Sequence, residues 1–297
     1  MGKVNLRGMG VALVTPFDAN GKVDYAALSK LLDYQLQNNT DYLVILGTTA
    51  ETPTLTCSEQ TEIVGLVVSK VNARIPVVLG IGGNDTRSVV EKINSFDLSG
   101  IDAILSVVPY YNKPSQEGIY QHYKCIAENS KLPIILYNVP GRTGINMSAE
   151  TTLRLANDCD NIIAIKEASG NIKQIGEIIK NKPKDFQIVS GDDGIAFPLI
   201  TLGADGVISV IGNAFPKEFC NMIHLALSGN YSDALSIHNS FTELIELLFT
   251  DGNPAGIKSM LNLMGHIENK LRLPLVPTST TTYEKIRKIF NDLDIRC

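Results

Sequence analysis

Long apolar runs are missing from this chain: no stretch reaches the roughly eighteen residues that a membrane-spanning helix requires. The start, Met1-Gly2-Lys3-Val4-Asn5, lacks the apolar core of a secretory signal, and the expectation is a cytoplasmic protein. Cysteine is scarce and poorly spaced for cross-linking. Cys57, Cys125, Cys159, Cys220 and Cys297 form no CxxC pair and are odd in number, which argues against a disulfide framework or a zinc site and for reduced thiols. The four histidines, His122, His224, His238 and His266, show neither HxxxH nor HxH spacing, so no metal centre is expected. Basic blocks are absent as well. The 26 Lys and Arg and 31 Asp and Glu are dispersed, giving a formal charge of -5 and no electrostatic footprint for nucleic acid. No G-x-G-x-x-G follows the first apolar segment, so the usual mark of an open dinucleotide-binding sheet is missing too.

What is present is a large supply of core residues. With 44% hydrophobic residues among 297, the chain has enough apolar surface for one large α/β barrel or two ordinary domains. Eight short runs of Val, Ile, Leu and Ala recur about every thirty residues, near 10–14, 42–46, 77–81, 103–107, 134–137, 162–166, 187–190 and 206–210. Each is followed by a turn signal and a stretch of helical periodicity. Continuously apolar strands alternating with helices imply parallel strands buried on both faces, and eight such units favour a (β/α)8 TIM barrel. Ser58-Glu59-Gln60, Ser115-Gln116-Glu117 and Ser148-Ala149-Glu150 each place a capping serine and an early acid ahead of helical periodicity. Gly80-Ile81-Gly82-Gly83 reads as a tight strand-to-loop turn. The catalytic barrel is expected over 1–229. A C-terminal helical region, 230–297, follows, with helices near 232–249, 254–264 and 281–293, and it either packs outside the barrel or builds a subunit interface.

Lys166 closes the apolar run Ile162-Ile163-Ala164-Ile165-Lys166. An ammonium in such a place is either a strand-end lysine whose tip reaches water or a nucleophile, because burial disfavours the charged form and exposes an amine able to attack a carbonyl. Barrel active sites form at the C-terminal ends of the strands, and here those ends are unusually polar. The second run ends in Gly47-Thr48-Thr49-Ala50-Glu51, the fourth in Pro109-Tyr110-Tyr111-Asn112, the fifth in Tyr137-Asn138-Val139-Pro140-Gly141-Arg142, and the seventh in Ser190-Gly191-Asp192-Asp193. The Thr48-Thr49 turn is a carboxylate cradle or an ordinary turn. Tyr137 is a proton shuttle or an amphipathic filler. Arg142 is a bidentate carboxylate clamp or a solvated loop arginine. Taken together, a cradle, a lysine, a phenol and a second cation describe a lyase or aldolase acting on a 2-oxo acid.

These segments, with Tyr137-Asn138-Val139-Pro140-Gly141-Arg142-Thr143-Gly144 the most specific, resemble those of the dihydrodipicolinate synthase family. The likeness runs from near the N-terminus into the helical tail. It implies a carbon–oxygen lyase of lysine and diaminopimelate biosynthesis that condenses pyruvate with L-aspartate 4-semialdehyde through a Schiff base on Lys166. It further implies that the pyruvate carboxylate rests on Thr48 and Thr49, and that Tyr137, Thr49 and Tyr111 form a proton relay with Tyr111 reaching in from a neighbouring subunit. Arg142 would take the semialdehyde carboxylate, and Ile208 would line the site through its backbone carbonyl. A homotetramer, a dimer of dimers, without metal or organic cofactor is implied too. N-acetylneuraminate lyase and other Schiff-base relatives, or a silent metabolite-binding barrel, are the competing readings. One departure bears on regulation. Lysine-inhibited members carry histidines and a glutamate at a site between subunits, whereas this chain keeps Asn84 and Tyr110 but has Pro53, Cys57, Gln60 and Ser88. Without that acid a bound ammonium lacks its partner, so lysine inhibition is expected to be weak or absent.

Overall fold

The computed structural model describes residues 4–292; Met1, Gly2, Lys3, Leu293 and Cys297 lie outside the described residues. Strands β1 (Gly8–Ala12), β2 (Tyr42–Ile45), β3 (Val77–Gly80), β4 (Ala103–Val107), β5 (Ile134–Asn138), β6 (Ile162–Glu167), β7 (Gln187–Ser190) and β8 (Gly206–Ser209) run parallel in chain order around a closed barrel. β8 pairs with β1 to close it. The first half of the helical layer is α1 (Tyr25–Gln37), α2 (Cys57–Val71), α3 (Thr86–Ser95), α4 (Gln116–Asn129), the short α5 (Pro140–Thr143) and α6 (Ala149–Asp158). It continues with α7 (Ile172–Asn181), α8 (Ala196–Thr201) and α9 (Pro216–Leu227), then α10 (Tyr231–Phe249), α11 (Ala255–Leu263) and α12 (Thr280–Asp292) beyond the last strand. The fold is the expected TIM barrel with C-terminal helices. None of the described helices is long and apolar enough to cross a membrane.

The strands form because their Val, Ile, Leu and Ala side chains are buried on both faces, and period-two alternation sorts them between two cores. Leu43, Ile104, Leu136 and Ile165 pack against the helices, while Val44, Leu105, Tyr137 and Ala164 fill the barrel interior. A one-residue irregularity matters for the site. Ile134 pairs with Ile162 but Ile135 pairs with Ala164, so the register slips past Ile163 and brings Lys166 opposite Tyr137.

Four local expectations shift. The first strand starts two residues early and stops at Ala12, because Val14 N–H donates to the Asn213 side chain at 3.1 Å instead of to a neighbouring strand. β8 ends at Ser209 because Val210 N–H goes to Asp193 at 2.9 Å. The cap of α2 is Thr56, not Ser58: Thr56 and Glu59 form a reciprocal capping box, leaving Ser58 to bond Glu62 at 2.9 Å. Ser115 and Ser148 cap α4 and α6 as expected. The glycines after β3 serve close approach, not turn conformation. None of them has positive φ, and a Cβ on Gly80 would lie 2.2 Å from the Leu46 carbonyl oxygen.

Helices α10, α11 and α12 pack on one another, with α10 also against α8 and α9. α11 lies over the turn that follows β8, at the C-terminal ends of the strands.

Candidate active site

A cavity of about 730 Å3 opens at the C-terminal ends of the strands. Its floor and walls come from strand ends and its outer rim from α10 and the segment after it, including Glu246, Phe249 and Asn253. Lys166 projects into it and is only 6% exposed. Its ammonium lies 4.5 Å from the centroid of the Tyr137 ring, a cation–π contact that partly compensates burial. Among the described residues it has no carboxylate partner. Space for the lysine stem exists because residue 191 is glycine: a Cβ there would sit 3.0 Å from Lys166 Cε and 2.7 Å from Ala168 Cβ.

The residues after β2 fold into a short 3-10 turn, Thr48–Ala50, pinned by Thr15 Oγ1 donating to the Ala50 carbonyl at 2.8 Å and Thr52 Oγ1 to the Gly47 carbonyl at 2.9 Å. Thr48 and Thr49 line the cavity, and Thr49 is buried. The first N–H groups of such a turn have no partner inside it, which together with two hydroxyls suits an anion. Arg142 stands exposed in α5 on the cavity rim and donates to the Asn253 carbonyl at 3.2 Å. Beyond Thr49 the turn ends at Glu51, in the left-handed region at φ 54°. The Glu51 carboxylate and the Lys258 ammonium form an ion pair whose side chains are 0% exposed. Glu51 also accepts from Arg272 N–H at 3.0 Å, and Arg272 holds Glu59 through two bonds at 2.6 and 2.8 Å. Burial pulls the Lys258 ammonium down to about 8, while the Glu51 carboxylate beside it works against that shift.

The structure therefore brings Lys166, Tyr137, Thr48, Thr49 and Arg142 to one cavity. Ile208 is fully buried in β8 within the barrel, and Val210 is the residue from that end that lines the cavity. Tyr111 stays away from the cavity. It is 82% exposed in a backbone conformation of φ 74°, which a tyrosine rarely adopts. Asn253, Lys258 and Arg272 were not legible as site residues, because Gly252-Asn253-Pro254 reads only as a helix breaker and their partners lie more than two hundred residues away.

Asp193, after β7, is buried and accepts from Val210 and Ile211 N–H, both at 2.9 Å. Burial nevertheless pushes its carboxyl up to about 6. The fold thus prefers the protonated acid. That contribution is complete below the unfolded value of ~4 and is lost as pH rises through about 6, because the unfolded chain releases its proton first. Denaturant titrations of the parent and Asp193→Asn should show the parent losing stability relative to the variant between those pH values. A pH-independent difference would refute this account.

A lysine in the mouth of a closed parallel barrel, beside a phenol, two threonine hydroxyls and a guanidinium, is the apparatus of a Schiff-base aldolase or lyase. Within that class the chain belongs to the dihydrodipicolinate synthetase family, whose profile matches residues 5–293. It is 69% identical over the whole of both chains to the 4-hydroxy-tetrahydrodipicolinate synthase of Parabacteroides distasonis. The crystal structure of dihydrodipicolinate synthase from Thermotoga maritima superposes with a TM-score of 0.94 at 42% identity, covering 96% of this chain and 98% of that one. The chloride-inhibited synthase from Acinetobacter baumannii, complexed with pyruvate, gives a TM-score of 0.94 at 40% identity over 97% and 99% of the two chains.

Proposed function

We propose that this chain is a 4-hydroxy-tetrahydrodipicolinate synthase that condenses pyruvate with L-aspartate 4-semialdehyde on Lys166. The observation that carries the reading is the buried Lys166 ammonium, without a carboxylate partner among the described residues, facing Tyr137 across the β5–β6 register in the barrel mouth. The deprotonated amine attacks the pyruvate ketone, forming a C–N bond and releasing water to give an imine. Loss of a methyl proton gives the enamine. Its terminal carbon attacks the aldehyde carbon of the semialdehyde, forming the new C–C bond, and the resulting alkoxide takes a proton. The substrate's own amino group then adds to the imine carbon, which closes the ring, and the Lys166 amine departs with the proton that amino group gives up, leaving the cyclic imine. The product is the sum of the two substrates less one water, and every group used belongs to protein or substrate, so the scheme needs no cofactor.

In this scheme Thr48 and Thr49 hold the pyruvate carboxylate, with the Ile208 backbone carbonyl completing the site. Tyr137 and Thr49 move protons, joined by Tyr111 of a neighbouring subunit. The exposure of Tyr111 and its absence from the lining of its own chain's cavity support this sharing, and we assign the assembly as a homotetramer, a dimer of dimers. The pyruvate complex of the Acinetobacter baumannii relative supports pyruvate as first substrate. We assign the enzyme to the cytoplasm and to lysine and diaminopimelate biosynthesis. Residues 1–229 act as the catalytic barrel and 230–297 as a C-terminal helical region, from which Glu246, Phe249 and Asn253 border the cavity.

Borohydride reduction with pyruvate, followed by peptide mapping, tests the reading. One pyruvate-derived adduct on Lys166 is expected; none, or one elsewhere, overturns it. Arg142 is assigned to the semialdehyde carboxylate. Arg142→Ala should therefore raise KM for the semialdehyde by roughly ten- to a hundredfold, the loss of about 1.5–3 kcal/mol of charged hydrogen bonding, without affecting the pyruvate adduct. An unchanged KM would remove Arg142 from the site. Lysine should inhibit weakly or not at all. The cavity of about 550 Å3 beside Tyr110, Pro53 and Gln60 is lined by the half-buried cation Lys92, which opposes a second ammonium, and the carboxylate on its lining, Glu51, is already paired with Lys258. Half-inhibition by lysine below millimolar concentration would contradict this.

A further inference from the structure

The segment joining α10 to α11 is tied to the turn after β2 at two points. Asn253 Nδ2 donates to Thr49 Oγ1 at 2.9 Å, with both residues buried. Five residues along the chain, Lys258 holds Glu51, two residues beyond Thr49, in the fully buried ion pair. The segment is rigidly placed. A Cβ on Gly256 would lie 2.0 Å from the Leu248 carbonyl oxygen, so the backbones of α10 and α11 touch there, and Gly256 N–H donates to the Gly252 carbonyl at 3.2 Å. Through its own backbone carbonyl Asn253 also receives Arg142. A single residue thus contacts the groups assigned to both substrate carboxylates.

A hydroxyl carries one proton and two lone pairs. With an amide N–H donating into Thr49 Oγ1, the Thr49 proton must point elsewhere, and Thr49 lines the cavity that holds Lys166 and Tyr137. We infer that Asn253 is a positioning residue for the reaction. It fixes the Thr49 hydroxyl so that its proton is delivered into the Lys166 cavity, and it holds Arg142 at the rim. The inference rests on the pyruvate reading above. It accounts for a role of the C-terminal region in catalysis: the helices beyond the barrel set the direction of a hydrogen bond inside it.

The test compares Asn253→Asp and Asn253→Ala in the full-length enzyme, with kcat normalised to the amount of borohydride-trapped Lys166 adduct. Aspartate preserves the shape but offers an acceptor where asparagine offers a donor. Its Thr49 proton should turn away from the cavity. Both variants should still form the adduct, and kcat per trapped site should fall by about tenfold or more, with a smaller change in KM for pyruvate. In Asn253→Asp, activity should recover as pH falls, since the protonated acid donates to Thr49 as the amide does. A merely structural role would lower the trapped fraction and leave the shape of the pH profile unchanged. A kcat per trapped site within about twofold of the parent for the variants that fold, or an unaltered pH profile in a folded Asn253→Asp, overturns the inference. If the aspartate variant does not fold, the alanine variant decides by the same kcat criterion. A parent enzyme that forms no adduct refutes the activity reading itself, and this inference with it.

Discussion

Lys166→Ala will abolish turnover and the pyruvate adduct while leaving the barrel folded. Among the described residues Lys166 is the only lysine lining the cavity, so on the proposed mechanism its loss removes the pathway instead of slowing a step. The expected fall in kcat/KM is at least about four orders of magnitude. Stability should move the other way or not at all. Lys166 is 6% exposed, and its ammonium is compensated by the Tyr137 ring without a carboxylate partner among the described residues. Exchanging such a charge for a methyl at a strand end relieves desolvation and leaves the β5–β6 pairing intact. Calorimetry and circular dichroism check the fold, and steady-state assays check the rate. Residual turnover above about one part in a thousand with an unfolded fraction near zero would mean that another nucleophile operates.

Breaking the Lys258–Glu51 pair should produce the largest loss of stability. Both side chains are 0% exposed, Lys258 also donates to the Lys270 carbonyl at 3.0 Å, and its ammonium lies 4.2 Å from the centroid of the Phe17 ring. Lys258→Met fills similar space but strands the Glu51 carboxylate without its cation. The expected cost is about 3–5 kcal/mol in denaturant unfolding. Adding Glu51→Gln removes the stranded charge, so the double variant should recover much of that loss, a coupling that a double-mutant cycle reads directly. A single variant within about 1 kcal/mol of the parent would show that water or a rearranged partner replaces the cation. Because Glu51 ends the turn bearing Thr48 and Thr49, the single variant should also bind pyruvate less tightly.

How much of this was legible beforehand differs element by element. The strands were readable because parallel strands buried on both faces must be continuously apolar, and the spacing of those runs repeats a strand–helix unit. Lys166, Tyr137, Thr49 and Arg142 were readable because a barrel collects the C-terminal ends of its strands at one face, so polar residues ending apolar runs are brought together whatever their separation in sequence. The slip at Ile163 was not readable. Without it Lys166 would not stand opposite Tyr137, and only the pairing of the two strands reveals it. The cap at Thr56 was missed in favour of Ser58, although the reciprocal spacing of Thr56 and Glu59 was available as a signal.

The amino-acid pattern by itself therefore determined the barrel, the candidate nucleophile and the ring of polar groups around it, because burial of apolar runs and the position of strand ends are local or periodic properties. Tertiary structure alone decided which side chains hold those groups in place. Asn253 meets Thr49 across 204 positions of sequence and Lys258 meets Glu51 across 207, and nothing in either neighbourhood marks the other. Such pairs depend on how the last helices pack over the barrel mouth. Only there does burial turn an asparagine in a helix-breaking tripeptide and a lysine in a short helix into partners of the turn that follows β2.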